Sequence, residues 1–137
     1  MDLGKTRVDL ARSKAGEWVK DIPGLGDLEL KVRGSNTPAF RLAQAKAQRA
    51  IPREARREGG LTDPEAADVA LGQALAEGAL VDWRNVSVDG EAIAYSPEAA
   101  LKLLTDPEFS TFRDAVAWAA DLVGALRKDD EAAALGK

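Results

Sequence analysis

Four times in this sequence a proline stands just behind residues able to cap a helix: Asn36-Thr37-Pro38, Thr62-Asp-Pro-Glu65, Ser96-Pro97-Glu98 and Thr105-Asp-Pro-Glu108. Proline has no amide hydrogen and a fixed φ, so it suits the first helical turn, where that hydrogen would find no partner anyway. Thr62 with Glu65 fits a capping box, and Thr105 with Glu108 repeats it. Thr37 or Asn36 is placed to cap the first helix and Ser96 the third, with Glu98 complementing the positive helix end. Asp63, Glu65, Asp106 and Glu108 therefore read as capping groups rather than as catalytic carboxylates. These signals predict about four helices.

The apolar residues behind each start follow helical spacing. Phe40, Ala43, Ala47, Ala50 and Ile51 form a modest stripe that Pro52 ends, with a continuation from Arg53 to Glu58 stopped at Gly59-Gly60. The second helix carries Val69, Leu71, Leu75, Ala79 and Leu80 and extends to about Leu80; Gly72 and Gly78 weaken it. The third is about two turns long. In the last, Phe109, Phe112, Val116, Ala119, Val123 and Leu126 step alternately by three and four, the seam of a helix packed on one side, with polar residues on the far face. Only seven residues are aromatic although 45% of the chain is apolar, and alanine fills much of the difference. Thin cores between closely packed helices follow from that.

The first 36 residues are patterned differently. Gly16 to Ile22 is a short strand candidate, Pro23-Gly24-Leu25-Gly26-Asp27 a turn, and Leu28 to Arg33 alternates apolar and charged residues with the period of a half-buried strand. Arg7 to Leu10 is a candidate extra strand. Farther on, Val86 and Val88 precede Asp89-Gly90, a strong hairpin-turn pair, and Ile93 and Tyr95 follow it. The expected fold is α+β, mainly α-helical: about four helices, a small N-terminal antiparallel β-hairpin or meander, and a short central hairpin. The chain divides into a β-rich segment at 1–36, a helical domain with the hairpin at 37–128, and a frayed tail at 129–137. Asp129-Asp130-Glu131 would sit where a helix C-terminus disfavours negative charge.

With no cysteine and no histidine, the chain has no disulfide, thiolate nucleophile, imidazole base or usual zinc site. Ser96 has no base. Gly24-x-Gly26 and Gly59-Gly60 lack the flanking pattern of a phosphate cradle. Asp82, Asp89 and Glu91 surround the hairpin, but their spacing matches no metal-binding loop. We therefore expect no catalytic, cofactor-binding or metal-binding residue. The start, Met1 to Arg7, leads into no apolar stretch of the signal-peptide kind, and no run approaches the roughly 20 apolar residues that span a bilayer.

Charge is distributed unevenly. Eight basic residues and one acidic residue lie between Lys31 and Arg57, against sixteen acidic and six basic from Glu58 onward. Arg49, Arg53, Arg56 and Arg57 approach the clustering that phosphate binding requires. Only Phe40 is available for stacking and the net charge is −4, so a protein-facing or solvated helix surface is the better reading of the arginines.

From Gly34 to about Gly124 the order of features resembles the tail assembly chaperones of long-tailed phages and prophages. The resemblance is carried by Val32-Arg-Gly-Ser-Asn-Thr-Pro-Ala-Phe40 leading into a basic helix, by Val81-Asp-Trp-Arg-Asn-Val86, and by Val88-Asp-Gly-Glu-Ala-Ile-Ala-Tyr-Ser-Pro-Glu98. Leu103-Leu-Thr-Asp-Pro-Glu-Phe109 and an Ala-rich amphipathic helix follow. It implies a protein of the host cytoplasm, without cofactor, that binds the tape measure protein, keeps its apolar helices soluble and helps recruit tail tube subunits. It also implies self-association and absence from the finished particle. Trp83, Tyr95, Phe109 and Phe112 are then expected to form the interface or support it, with Arg49, Arg53, Arg56 and Arg57 as its electrostatic half. Alanine at Trp83 and Tyr95 is expected to abolish client solubilisation while leaving the fold. The competing readings are a virion protein of the head-tail connector or tail-completion type, found in purified particles, and a nucleic-acid-binding regulator, recognised by steep salt dependence.

Overall fold

The computed structural model describes residues 1–56 and 62–131. Of the four predicted helix starts, three open α-helices at once: α2 (Pro38–Arg49), α3 (Pro64–Gly78) and α4 (Pro97–Thr105). The fourth opens a 3-10 turn, Pro107–Phe109, that runs into α5 (Ser110–Gly124). Thr37 caps α2, its hydroxyl accepting from the Phe40 amide at 3.2 Å, and Ser96 caps α4 through the Ala99 amide at 3.0 Å. At the two Thr-Asp-Pro-Glu sites the cap is the aspartate rather than the threonine. Asp63 accepts from the Ala66 amide and Asp106 from the Glu108 amide. Standing directly before the proline, each aspartate occupies the last extended residue, and its carboxylate also favours the positive helix end. Thr62 instead makes an isolated antiparallel bridge with Arg56.

Pro52 ends the first helical run as expected: α2 stops at Arg49, and Arg53–Ala55 form one 3-10 turn. The rest of the expected continuation, with Gly59-Gly60, lies outside the described residues. The helix α3 stops at Gly78, short of the predicted Leu80, because Leu80 begins a strand.

The N-terminal hairpin forms from β1 (Glu17–Val19) and β2 (Glu29–Val32), antiparallel, with Val19 opposite Leu30. A third strand, β3 (Leu80–Arg84), pairs antiparallel with β2 so that Leu30 faces Trp83, with a register shift at Lys31/Val32. The segment Val81 to Trp83, for which the sequence predicted no strand, thus completes the main sheet, and the N-terminal strands share it with the rest of the chain. The alternation at Leu28 to Arg33 is realised: Leu28, Leu30 and Val32 are buried, while Glu29, Lys31 and Arg33 face outward and are half-buried. On that outer face the Arg84 guanidinium lies 3.9 Å from the Trp18 ring centroid and 3.3 Å from Glu29. The central hairpin is β4 (Ser87–Val88) with β5 (Glu91–Ala92). Asp89 and Gly90 both have positive φ, 51° and 83°, the backbone of the turn that Asp-Gly favours.

Arg7 to Leu10 is not a strand. Leu3–Thr6 is a 3-10 turn and Leu10–Ala15 is a short helix, α1, capped by Asp9 through the Arg12 amide. This segment lies against the end of α5. The Asp9 amide donates to the Leu126 carbonyl at 2.7 Å, and the Arg12 guanidinium donates to the carbonyls of Arg127, Asp130 and Glu131 while pairing with Glu17. Of the stretch 129–137, only 129–131 are described.

The core gathers Val19, Leu30 and Val32 from the sheet, Leu75 from α3, Leu104 from α4, and Val116, Ala119 and Val123 from α5. The seam predicted for α5 is that buried face, with Leu126 also buried. The helix α3 lies between α2 and α4, and the two glycines that weaken it as an isolated helix make this possible. A Cβ on Gly72 would collide with the Leu104 carbonyl of α4, and one on Gly78 would lie 2.7 Å from Phe40 Cα of α2. Close approach on both sides requires residues without a side chain at those two points.

Candidate partner-binding surfaces

Three of the four aromatic residues expected at an interface pack on one another, with Trp83 buried and Tyr95 and Phe112 half-buried. The Trp83 ring is 5.1 Å from Tyr95 and 6.0 Å from Phe112, both edge to face. Trp83 is 5% exposed, and its indole N–H donates to the Ile93 carbonyl at 2.8 Å, fastening the central hairpin to the sheet. Tyr95 is half-buried, and its hydroxyl donates to the Leu80 carbonyl at 3.4 Å. Burial pushes the Tyr95 phenol above its ordinary value; Asp82 and Glu98 add to that, and Arg33 opposes it. Phe112 is half-buried against the core, and Phe109, also half-buried, ends the 3-10 turn before α5 without joining the ring cluster. The Trp83, Tyr95 and Phe112 cluster anchors the hairpin. Alanine at Trp83 would remove a core side chain, so the expectation that it leaves the fold intact is corrected.

The arginines are at the surface. Arg49 ends α2, Arg53 opens the 3-10 turn behind Pro52, and Arg56 donates to the Gln48 carbonyl at 3.1 Å. All three are exposed, and none forms an ion pair with a carboxylate among the described residues. Arg57 lies outside the described residues. A mainly apolar groove of about 390 Å³ runs between the end of α2 and the first turns of α3, walled by Ala47, Ala50, Ile51 and Pro52 on one side and by Ala66, Val69, Ala70 and Gln73 on the other. Arg49 precedes Ala50 and Arg53 follows Pro52, so both cations leave the chain next to residues that line it. Leu42, 72% exposed, lies on the outer face of the same α2.

Trp118 escaped the sequence reading. It is 38% exposed on α5 and borders a notch of about 510 Å³ whose other apolar walls are Ile22, Pro23, Leu25 and Ala115. The available signal was a tryptophan falling off the seam, on the face otherwise taken by polar residues. Among the described residues Asp82, Asp89 and Glu91 do not converge into a metal-binding group. No helix among them is long and apolar enough to cross a membrane.

The architecture is that of a small, mainly helical α+β protein with a three-stranded antiparallel sheet and, on its surface, two separate apolar recesses edged by charge. Residues 35–137 match the YdaY prophage protein family, and the chain belongs to that family. The match begins just after β2, so it takes in all but the first residues of the region that carries the phage-like order of motifs, from Ser35 to Gly124, and it shows a phage or prophage protein. The chain matches no curated protein and no solved structure.

Proposed function

We propose that the chain is a tail assembly chaperone, which binds the tape measure protein in the host cytoplasm, keeps it soluble and helps recruit tail tube subunits. In this reading it works by binding rather than by catalysis. The observation that carries it is the α2/α3 groove: an alanine-lined recess whose lining residues Ala50 and Pro52 are flanked in the chain by Arg49 and Arg53, which no described carboxylate neutralises. A helix laid in such a groove can approach closely because the walls are short, and its apolar stripe leaves water on contact. Each Leu or Ile side chain so covered contributes about 1.5–3 kcal/mol. The arginines speed encounter with an acid-bearing helix and reject a basic one. Membership of a prophage family and the motif order along residues 34–124 supply the biological setting.

The nucleic-acid reading has less support. Phe40, the one aromatic near the basic stretch, is 7% exposed and cannot stack on a base.

Co-expression with the tape measure protein of the same prophage tests the proposal. The chain should move that protein from the pellet to the soluble fraction and co-purify with it. Arg49→Glu with Arg53→Glu should weaken capture by about tenfold, with the circular dichroism of the fold unchanged. A tape measure protein that precipitates equally with and without the chain ends this reading.

A further inference from the structure

The Trp118 notch lies apart from the α2/α3 groove, and its charge is opposite. Trp118 projects from α5 between Asp114, four residues before it, and Asp121, three residues after, a spacing that puts all three on one helix face. The facing turn between β1 and β2 carries exposed Asp21 and Asp27. Lys20 is the exposed cation of that turn. Arg113 is turned away into the body, its side chain 12% exposed and its guanidinium between Asp68 of α3 and Asp114. The turn is pinned: the Leu25 amide donates to Ile22, the Leu28 amide to Leu25, and the Asn85 side chain to the Asp27 carbonyl at 2.9 Å. The notch is thus preformed, with a buried Ile22 and Ala115 at its floor. Among the described residues the Trp118 indole N–H donates to nothing.

We infer that this notch is a second docking surface, which takes an apolar side chain carried on a basic, Lys- or Arg-flanked helix of a partner protein. The indole and the walls formed by Ile22, Pro23 and Leu25 receive the apolar anchor; the exposed carboxylates of Asp21 and Asp27 receive the flanking cations, together with the second oxygens of Asp114, whose first pairs with Arg113, and of Asp121, whose first accepts from the Ser35 hydroxyl. A partly exposed tryptophan beside a fixed apolar wall is the kind of residue on which binding energy concentrates. Because the arginine-edged groove has the opposite sign, each surface rejects the ligand of the other, and one molecule can hold two dissimilar partners at once. The inference stands on its own geometry, independent of the client assigned to the α2/α3 groove.

The test uses the intact chain labelled with 5-fluorotryptophan. Its three tryptophans, Trp18, Trp83 and Trp118, give three fluorine resonances, assigned with Trp18→Phe and Trp118→Phe variants. The probe is an amphipathic helical peptide built from Leu and Lys, with a Leu and Glu peptide of the same pattern as comparison. The Leu/Lys peptide should shift the Trp118 resonance saturably and leave that of Trp83 in place. Trp118→Ala should weaken binding about thirtyfold and Asp114→Asn by a smaller factor. An unmoved Trp118 resonance, equal binding of the Leu/Glu peptide, or undiminished binding by Trp118→Ala would each overturn the inference. So would a Trp118 shift that follows protein concentration without peptide, since the occupant would then be a second copy of the chain.

Discussion

The indole N–H of Trp83 reaches the carbonyl of Ile93 at 2.8 Å, tying the third strand of the main sheet to the far arm of the central hairpin. A two-stranded ribbon with two residues per strand is not stable alone; here the tryptophan both covers it and holds it. Trp83→Phe should retain the ring packing against Tyr95 and Phe112 yet leave the Ile93 carbonyl without its donor, a loss of about 1 kcal/mol. Trp83→Ala should cost about 3–5 kcal/mol. Urea midpoints at constant m-value measure both, and an alanine variant as stable as the parent would contradict the anchoring role.

Gly72→Ala separates helix propensity from packing. In an isolated helix the substitution is favourable by about 1 kcal/mol. In this fold the added methyl meets the Leu104 carbonyl of α4, and relieving the overlap should cost about 1–3 kcal/mol. A net fall in thermal midpoint is expected; a rise would contradict the close packing of α3 on α4 at Gly72.

Tyr95 is the only tyrosine, so phenolate absorbance near the ultraviolet edge reports it alone. Burial raises its pKa in the folded state above the ordinary 10.0. The folded protein therefore holds this proton more tightly than the unfolded chain does. The associated stability is fully present below pH 10.0 and is lost as pH rises from there through the folded-state value. In the native protein the absorbance change should come at higher pH than in urea. Coincident titrations would show that the phenol is solvated.

Arg12→Ala should free the carbonyls of Arg127, Asp130 and Glu131 together. Amide exchange in residues 126–131 should quicken, and the protein should lose about 1–3 kcal/mol. Arg12→Lys should recover little of this, because one ammonium cannot serve several separated acceptors as the guanidinium fork does.

Helix starts were the most legible part of the sequence, because capping is local chemistry. A proline and an oxygen-bearing side chain within three residues carry the whole signal, and only the choice between Thr62 and Asp63, or Thr105 and Asp106, went to the other neighbour. The alternation at Leu28 to Val32 and the Asp89-Gly90 turn were equally local. What could not be read depended on distant parts of the chain. The strand β3 is defined by Leu30 lying opposite Trp83, a pairing no local pattern encodes. The helix α1 has one turn and a half and no apolar stripe; it exists where it docks on the end of α5. Gly72 and Gly78 looked like weaknesses because their neighbours on α4 and α2 are absent from any short window. For the surfaces, the arginines announced themselves through charge, whereas the three clustered aromatics were ambiguous until their burial was known. On α5 itself, Trp118 differed from Phe112 by its place off the seam.

The clasp between Arg12 and the carbonyls beyond α5 has a bearing on how the molecule is made. Synthesis delivers residues 9–17 early, but the atoms that Arg12 grips belong to residues 127–131, delivered after every other described element. Until then α1 lacks its support at the end of α5, although Ser13 can already meet the Gly34 amide and the Asn36 side chain. The clasp can therefore close only once α5 and the residues behind it have been made, joining segments more than a hundred residues apart, and a ribosome that stalls within α5 leaves Arg12 without those acceptors.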